Sequence, residues 1–434
     1  MSILYNYNMG YFLLILLNIL SPLGALAVLV FFFLSPRRGV LKKLREELRE
    51  RFVLYPYTEL FATPVWIHCA SVGEVNSMQS IIPQLKDLYN KPVLITTNTW
   101  AGRAAALKNP DVDNVYLIPF DFYPLTRKFV KLVKPVRMFI VEGELWPNNI
   151  MACVNNKIPV CIINGRVSAK SAKRYKLLSP LFSLMLKNIS FAALQSEEIK
   201  QRYISLGLPA AAAHAPGNIK YDSLRANPPR TEEVKDFFNK INWQNKKILI
   251  CGSTHVEEEN LIFKNAEKFY KENIRVVIAP RHLERKTAII DALKKSGLAY
   301  NTLSHDNGVK DPAVLVADAM GWLTSFYAAG DLAFVGGTIA KKGGHNLLEP
   351  AILSKPVLFG PHVYNTPDTA DALLKNNAAA AVDKDNFSDV IIRISKDKNA
   401  LPQMAGAALR TARSFQGATA KTMELIKNYE RTRK

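Results

Sequence analysis

The hydrophobic pattern begins with Tyr11–Leu34, a run of 24 uncharged and mostly apolar residues. At ~1.5 Å per residue a helix of that length reaches roughly 36 Å, more than the ~30 Å of a bilayer's hydrocarbon core. Arg37, Arg38, Lys42, Lys43 and Arg45 follow at once, and no charged residue precedes the run. The positive-inside rule then places the N-terminus outside and residues 35–434 in the cytoplasm. Ala25-Leu26-Ala27 resembles a signal-peptide cleavage site, but the stretch before it carries no positive charge and seven apolar residues follow it. An uncleaved anchor over residues 1–34 is the expectation. Asn18, Ser21 and Pro22 interrupt the span and leave room for a helix that is embedded without crossing.

After the anchor the pattern alternates between short apolar runs and stretches of helical period. Pro64–Ala70 reads as a buried strand, and Val75, Met78, Ile82 and Leu85 then fall at helical spacing. Further strands are expected at Pro92–Thr97, Val115–Pro119, Val136–Val141, Pro159–Asn164 and Phe191–Gln195. Around Asn218–Gln244 the pattern breaks at Asn227-Pro228-Pro229, and a linker is expected there. A second series runs through Lys247–Cys251, Arg275–Pro280, Ala313–Val316, Leu332–Val335 and Pro356–Phe359. Strands alternating with helices predict an α/β fold of two doubly wound parallel sheets, with domains at 35–225 and 226–434. The last helix is free to pack back on the first domain. Two such sheets in tandem imply a cleft between their carboxyl edges, suited to a two-substrate enzyme.

Composition narrows the reading. A chain with 48% hydrophobic and 22% charged residues is globular. Cys69, Cys153, Cys161 and Cys251 lie singly in strand-like runs, so they read as reduced core residues with neither a disulfide frame nor a zinc site. The net charge of +20 calls for an anionic partner. With no zinc finger, aromatic RNA-binding motif or basic helix with interleaved aromatics, nucleic acid is set aside in favour of an anionic membrane surface or a phosphorylated substrate.

Candidate chemistry gathers at strand ends, where open α/β sheets bind ligands. Glu74 falls on the first helical turn after the first strand; taken alone, a charged helix start is the plainer reading. Glu142-Gly143-Glu144-Leu145-Trp146-Pro147 and Asn164-Gly165-Arg166 follow two other strands, and Lys220 lies near the domain junction. In the second half, Gly252-Ser253-Thr254-His255 and Pro280-Arg281-His282 end strands in the same way. Gly336-Gly337 and the loop to Gly343-Gly344-His345-Asn346 read as a generic phosphate site at a helix N-terminus, with Asn346…Glu349 as a capping box. Asp111-Val112-Asp113 and Asp383-Lys384-Asp385 read as solvated turns, not metal-binding DxD motifs.

Together these motifs resemble the Kdo transferases, glycosyltransferases that add 3-deoxy-manno-octulosonate (Kdo) to lipid A precursors. The resemblance is carried by Trp66–Glu74, Glu144–Pro147, Asn164–Ser168, Gly217–Asp222, Ser253–His255, Pro280–His282, Phe334–Gly337, Gly343–Ala351 and Phe359–His362, in that order. It implies the GT-B architecture of two facing Rossmann-like domains, the first binding acceptor and the second nucleotide sugar. It also implies an inverting, metal-independent transfer from CMP-Kdo, with no cofactor, to a phosphorylated lipid A precursor at the inner membrane. By the same resemblance Glu74 is the general base, and Glu144 and Lys220 support the transition state. Pro280, Arg281, Met320, Gly321, Trp322, Asn346, Leu347, Leu348 and Glu349 hold CMP, with Glu349 toward the ribose.

Two departures stand out. Trp322 replaces the family's usual Glu after Met320-Gly321, and Gly143 replaces a more usual Thr beside Glu144. Competing readings are another GT-B enzyme using a UDP-sugar, of the lipid disaccharide synthase or epimerase type, and a non-catalytic membrane-anchored binding protein.

Overall fold

The computed structural model describes residues 8–22, 40–54, 63–305 and 307–432. Among them the strands form two seven-stranded, wholly parallel sheets. The chain divides into two compact units, residues 1–223 with 416–434, and residues 224–415.

The first sheet comprises β1 (Val65–His68), β2 (Val93–Thr97), β3 (Asn114–Leu117), β4 (Arg137–Val141), β5 (Val160–Gly165), β6 (Ile189–Leu194) and β7 (Ala213–His214). Their order is β3-β2-β1-β4-β5-β6-β7, so the winding reverses between β1 and β4. Both faces are covered, which is why these strands read as unbroken apolar runs. Trp66, Leu94, Met138 and Ile162 enter one core, and Val65, Ile67, Phe139 and Ile163 the other. The helix Ala418–Arg431 lays Ala418, Met423 and Ile426 on the second of these faces. Glu430 on it meets Arg137 at 2.7 Å, and Arg137 lies between the Tyr89 and Tyr429 rings.

The second sheet comprises β8 (Lys247–Thr254), β9 (Ile274–Pro280), β10 (Tyr300–Thr302), β11 (Val314–Val316), β12 (Leu332–Val335), β13 (Val357–Phe359) and β14 (Ala379–Ala381). The order β10-β11-β9-β8-β12-β13-β14 puts its reversal between β8 and β12.

Differences from the sequence reading are local. The helix expected from Val75 through Leu85 is two, Val72–Ser77 and Ile82–Tyr89, divided ahead of Pro83. β7, β10 and β14 were not foreseen; they are edge strands of two or three residues. The four cysteines are free and buried. Of the expected anchor over residues 1–34, residues 1–7 and 23–34 lie outside the described residues. Residues 8–22 are helical and dock one face on the first unit: Leu14 is buried, and the Asn18 amide donates to Asn148 Oδ1 at 2.7 Å. A Cβ at Gly10 would come within 2.6 Å of the Pro180 carbonyl, so the contact requires glycine. Among the described residues no helix is long and apolar enough to cross a membrane.

Candidate active site

In the first unit the reversal between β1 and β4 brings three carboxylates to one sheet edge. Glu74 leaves the end of β1 on the short helix Val72–Ser77 and is buried. Its carboxylate accepts the Ala70 N–H at 2.8 Å, with the Ser71 hydroxyl at 3.4 Å. Burial, reinforced by the Glu142 and Glu144 charges, raises Glu74 to about 7 against the opposing Ala70 N–H and Lys220. A carboxylate tuned near neutrality, hydrogen-bonded on one side, suits general-base work.

Glu142 follows β4 and was passed over in the sequence reading in favour of Glu144. It is buried and is the group that pairs with the Lys220 ammonium; Arg166 lies 3.9 Å away. Its φ of +63° places a non-glycine residue in the left-handed region, a strained conformation of the kind that gathers at functional sites. The surroundings fix it: Glu142 N–H donates to Ile163 O at 3.0 Å, and Glu142 O accepts from Arg166 N–H at 3.1 Å. Glu144 is reached instead by the Asn98 amide at 3.1 Å, and Arg51 holds the Asn98 carbonyl at 2.7 Å. A Cβ at Gly143 would lie 2.8 Å from the Arg166 carbonyl, so this turn closes on the β5 loop more tightly than threonine would permit. Lys220 rides on the 3₁₀ helix Ile219–Ser223, which Asn164 ties to β5 by accepting the Ile219 N–H at 3.1 Å. Trp146, in the adjoining turn, is 37% exposed and is no part of the core.

The second unit repeats the arrangement at its own reversal. Pro280 ends β9, and Arg281 extends into solvent. Burial raises Glu349, while Asn346 (3.3 Å from it) and the charge of Arg281 oppose the shift. Leu347 and Leu348 are fully buried, leaving only their backbone to meet a ligand. The expected capping box is absent: Asn346 Oδ1 accepts from Leu348 N–H, and the helix Leu348–Ile352 is only five residues long. The phosphate reading of the double-glycine loop also changes. The N–H groups of Gly337, Thr338, Ile339 and Ala340 all donate to the buried Glu258 carboxylate, at 2.9–3.3 Å. The protein supplies its own anion there, from a residue that in the sequence is one of three consecutive glutamates.

Met320 is 81% exposed at the tip of the β11 loop, and Gly321 takes a φ of +81°. Trp322 turns to Arg230, whose guanidinium stacks 4.5 Å from its ring, and to Phe326. It lines a cleft of about 460 Å³ with Phe237, Lys240, Asp236 and Ser304. Among the described residues no group of three or more His, Cys, Asp or Glu is arranged to hold a metal.

Residues 46–223 match a family model described as 3-deoxy-D-manno-octulosonic-acid transferase (kdotransferase). The chain is 31% identical over 400 residues to the 3-deoxy-D-manno-octulosonic acid transferase of Haemophilus influenzae, covering 89% of this chain and 92% of that one. It is 32% identical to a bifunctional glycosyltransferase/methyltransferase of Fusobacterium nucleatum over 77% of its own length, and spans 53% of that protein. Among solved structures, Anabaena Alr3699/HepE in complex with UDP aligns with a TM-score of 0.59 at 12% identity, over 85% of this chain and 99% of that one. That likeness concerns the fold alone and is of GT-B type. Near one-third identity over almost the full length of the Haemophilus protein establishes the relationship: the chain belongs to the 3-deoxy-D-manno-octulosonic acid transferase family of glycosyltransferases.

Proposed function

We propose that this Kdo transferase takes its sugar from CMP-Kdo and places it on a phosphorylated lipid A precursor, in a single inverting displacement that uses no metal. Glu74 accepts the proton of the acceptor hydroxyl as that oxygen bonds to the anomeric carbon of Kdo. The carbon–oxygen bond to phosphate breaks with its electron pair, and CMP leaves. The observation that carries the assignment is the buried Glu74 carboxylate, raised to about 7 at the reversal of the first sheet. At that value it is substantially ionised at neutral pH and still basic enough to take a proton. Lys220, held by Glu142, and Glu144, held by Asn98, set the field around the developing charge. In the second unit Arg281 meets the phosphate and Glu349 the ribose hydroxyls. Pro280, Met320, Gly321, Trp322 and the backbone of Asn346–Leu348 complete the CMP site.

The enzyme works, in this reading, at the cytoplasmic face of the inner membrane, held there by residues 1–34. The face of helix 8–22 turned away from the first unit exposes Phe12, Ile15, Ile19 and Leu20. In the same unit Leu177 is 83% exposed beside the exposed Lys170, Lys173, Arg174 and Lys176. Apolar side chains flanked by cations suit an anionic leaflet.

The test is turnover of detergent-extracted protein with CMP-Kdo and a tetra-acylated lipid A precursor, read by product mass. A gain of one or more Kdo units is expected. No gain, with CMP still raising thermal stability, refutes the acceptor. No gain and no effect of CMP refutes the donor, and the UDP-sugar reading then takes its place.

A further inference from the structure

Asn18 interrupts the apolar N-terminal run, and no step of the proposed reaction uses it. An amide among apolar side chains is costly unless its hydrogen bonds are made. Here they are. The helix of residues 8–22 turns Gly10, Leu14 and Asn18 to one side at four-residue spacing, the spacing of a single helical face. Leu14 enters the core, and the Gly10 backbone lies against Pro180. Asn18 Nδ2 donates to Leu14 O at 2.8 Å and to Asn148 Oδ1 at 2.7 Å, and Asn18 Oδ1 accepts the Tyr123 N–H at 2.7 Å.

The last two bonds end at the starts of two helices, Tyr123–Val133 and Pro147–Asn155. The first N–H groups of a helix have no partner within it, and a side chain at the N-cap normally supplies one. Phe122 and Trp146 occupy the N-caps here and make no such bond. Remote residues supply the acceptors instead. Asn18 takes the Tyr123 N–H, and Asp121 takes those of Asn148 and Asn149 at 3.2 and 3.0 Å. The Asn148 side chain joins the two sets: its Nδ2 donates to Asp121 O at 2.7 Å while its Oδ1 accepts from Asn18. Asn148 is fully buried, and its carbonyl also receives the Thr126 hydroxyl at 3.2 Å.

Asn148 follows Glu144 closely, and the chain between them has little slack. Leu145 N–H donates to Gly143 O and Trp146 N–H to Glu144 O, each at 3.0 Å, and Pro147 fixes its own φ. At the other end Gly143 is pressed on the Arg166 carbonyl, where a Cβ would lie 2.8 Å away. The turn that carries Glu144 is therefore braced at both ends, on Arg166 and on Asn148, and Asn18 completes the second brace.

We infer that Asn18 is a positioning residue for the transfer: by binding two helix starts together it sets, through Asn148, where the Glu144 carboxylate stands. The seat of the N-terminal helix on the first unit is then part of the construction of the active site, beyond any attachment to a surface. The inference rests on the Kdo-transfer reading and on the part of Glu144 in it.

The experiment compares the full-length protein, extracted in detergent and labelled with 5-fluorotryptophan, with its Asn18→Leu and Val133→Ala variants. Leucine resembles asparagine in shape, suits the apolar run and makes neither bond. Val133 is buried in the same core at the far end of the helix Tyr123–Val133, about 15 Å from its start at ~1.5 Å per residue. Its truncation loosens the unit and leaves both helix starts alone. Asn18→Leu should lower kcat for transfer from CMP-Kdo ~10–10²-fold with KM for CMP-Kdo unchanged. It should also move the fluorine resonance of Trp146, assigned with Trp146→Phe, and leave that of Trp243 in the second unit in place. Val133→Ala should keep both kcat and the Trp146 resonance. Equal loss of kcat in the two variants, or an Asn18→Leu protein with near-wild-type kcat or an unmoved Trp146, overturns the inference and leaves the Kdo-transfer reading standing. Should Asn18→Leu fail to fold, Asn18→Asp keeps the acceptor for Tyr123, loses the donor to Asn148, and carries the same expectations. Absence of transfer by the unaltered protein overturns that reading, and the inference with it.

Discussion

Replacing Glu74 with glutamine is expected to cripple the enzyme and stabilise its first unit. The folded protein holds Glu74 at about 7, from an ordinary value of 4.5. Its folded form therefore binds a proton more readily than its unfolded form, and ionisation works against folding. The penalty is absent below pH 4.5, grows as pH rises toward 7, and is complete above it. At 1.36 kcal/mol per pH unit, the shift corresponds to about 3 kcal/mol at pH 8 and about 1 kcal/mol at pH 5. Glutamine mimics the protonated carboxyl in shape and still accepts the Ala70 N–H, so it removes the penalty without opening a cavity. Hydrogen exchange of the β1 amides, Val65–His68, reports opening of this unit directly. Glu74→Gln should raise their protection at pH 8 by up to about 3 kcal/mol and by much less at pH 5, while kcat falls ~10²–10⁴-fold. Equal protection of the two proteins at pH 8, or a gain of the same size at pH 5, would refute the argument that burial tunes this carboxylate. Near-wild-type turnover in the folded variant would remove Glu74 as the base.

Glu258→Ala should unfold or loosen the second unit, because five backbone N–H groups lose their acceptor in a fully buried place. At about 1 kcal/mol for each of these groups, in His255 and residues 337–340, the loss is on the order of 5 kcal/mol; exchange of the Ile248–Cys251 amides measures it, and a loss below about 1 kcal/mol contradicts the assignment. Lys220→Met removes the cation that pairs with Glu142 and lowers Glu74. The acidic limb of the pH–rate profile should move to higher pH as kcat drops, and a limb that stays in place or moves down counts against the coupling.

Much of the fold is written in the chain itself. β1, β2, β4, β5, β8, β9, β12 and β13 are short runs dominated by apolar residues between turn signals, because both faces of a parallel sheet are buried. The strands that escaped detection, Ala213–His214, Tyr300–Thr302 and Ala379–Ala381, are edge strands of two or three residues, two of them in alanine runs and the third built on Asn301 and Thr302, so none carries the run of branched apolar residues that marks the central strands. Glu74 was legible because a strand end followed by a helix is a local event, and Arg281 and His255 for the same reason. Glu142 was not singled out: its neighbour Glu144 carries the same charge, and a backbone φ of +63° leaves no trace in residue type. Glu258 was hidden among Glu257 and Glu259, which look alike until the fold brings the 337–340 loop to one of them.

The sequence by itself determined the alternation of strands and helices, the two parallel sheets, the reduced cysteines and the strand ends that carry the chemistry. Each of these depends on burial or turn formation within a few residues of chain. Tertiary structure alone decided which polar groups meet: Lys220 with Glu142, Glu258 with the glycine loop, His255 with His345, and Glu430 with Arg137. Those pairings join residues separated by 79 to 82, 90 and 293 positions in the chain, and Lys220 lies comparably far from Glu142, so only the fold brings them together. Coulomb energies and desolvation depend on distance and burial in the folded molecule, and a linear sequence contains neither.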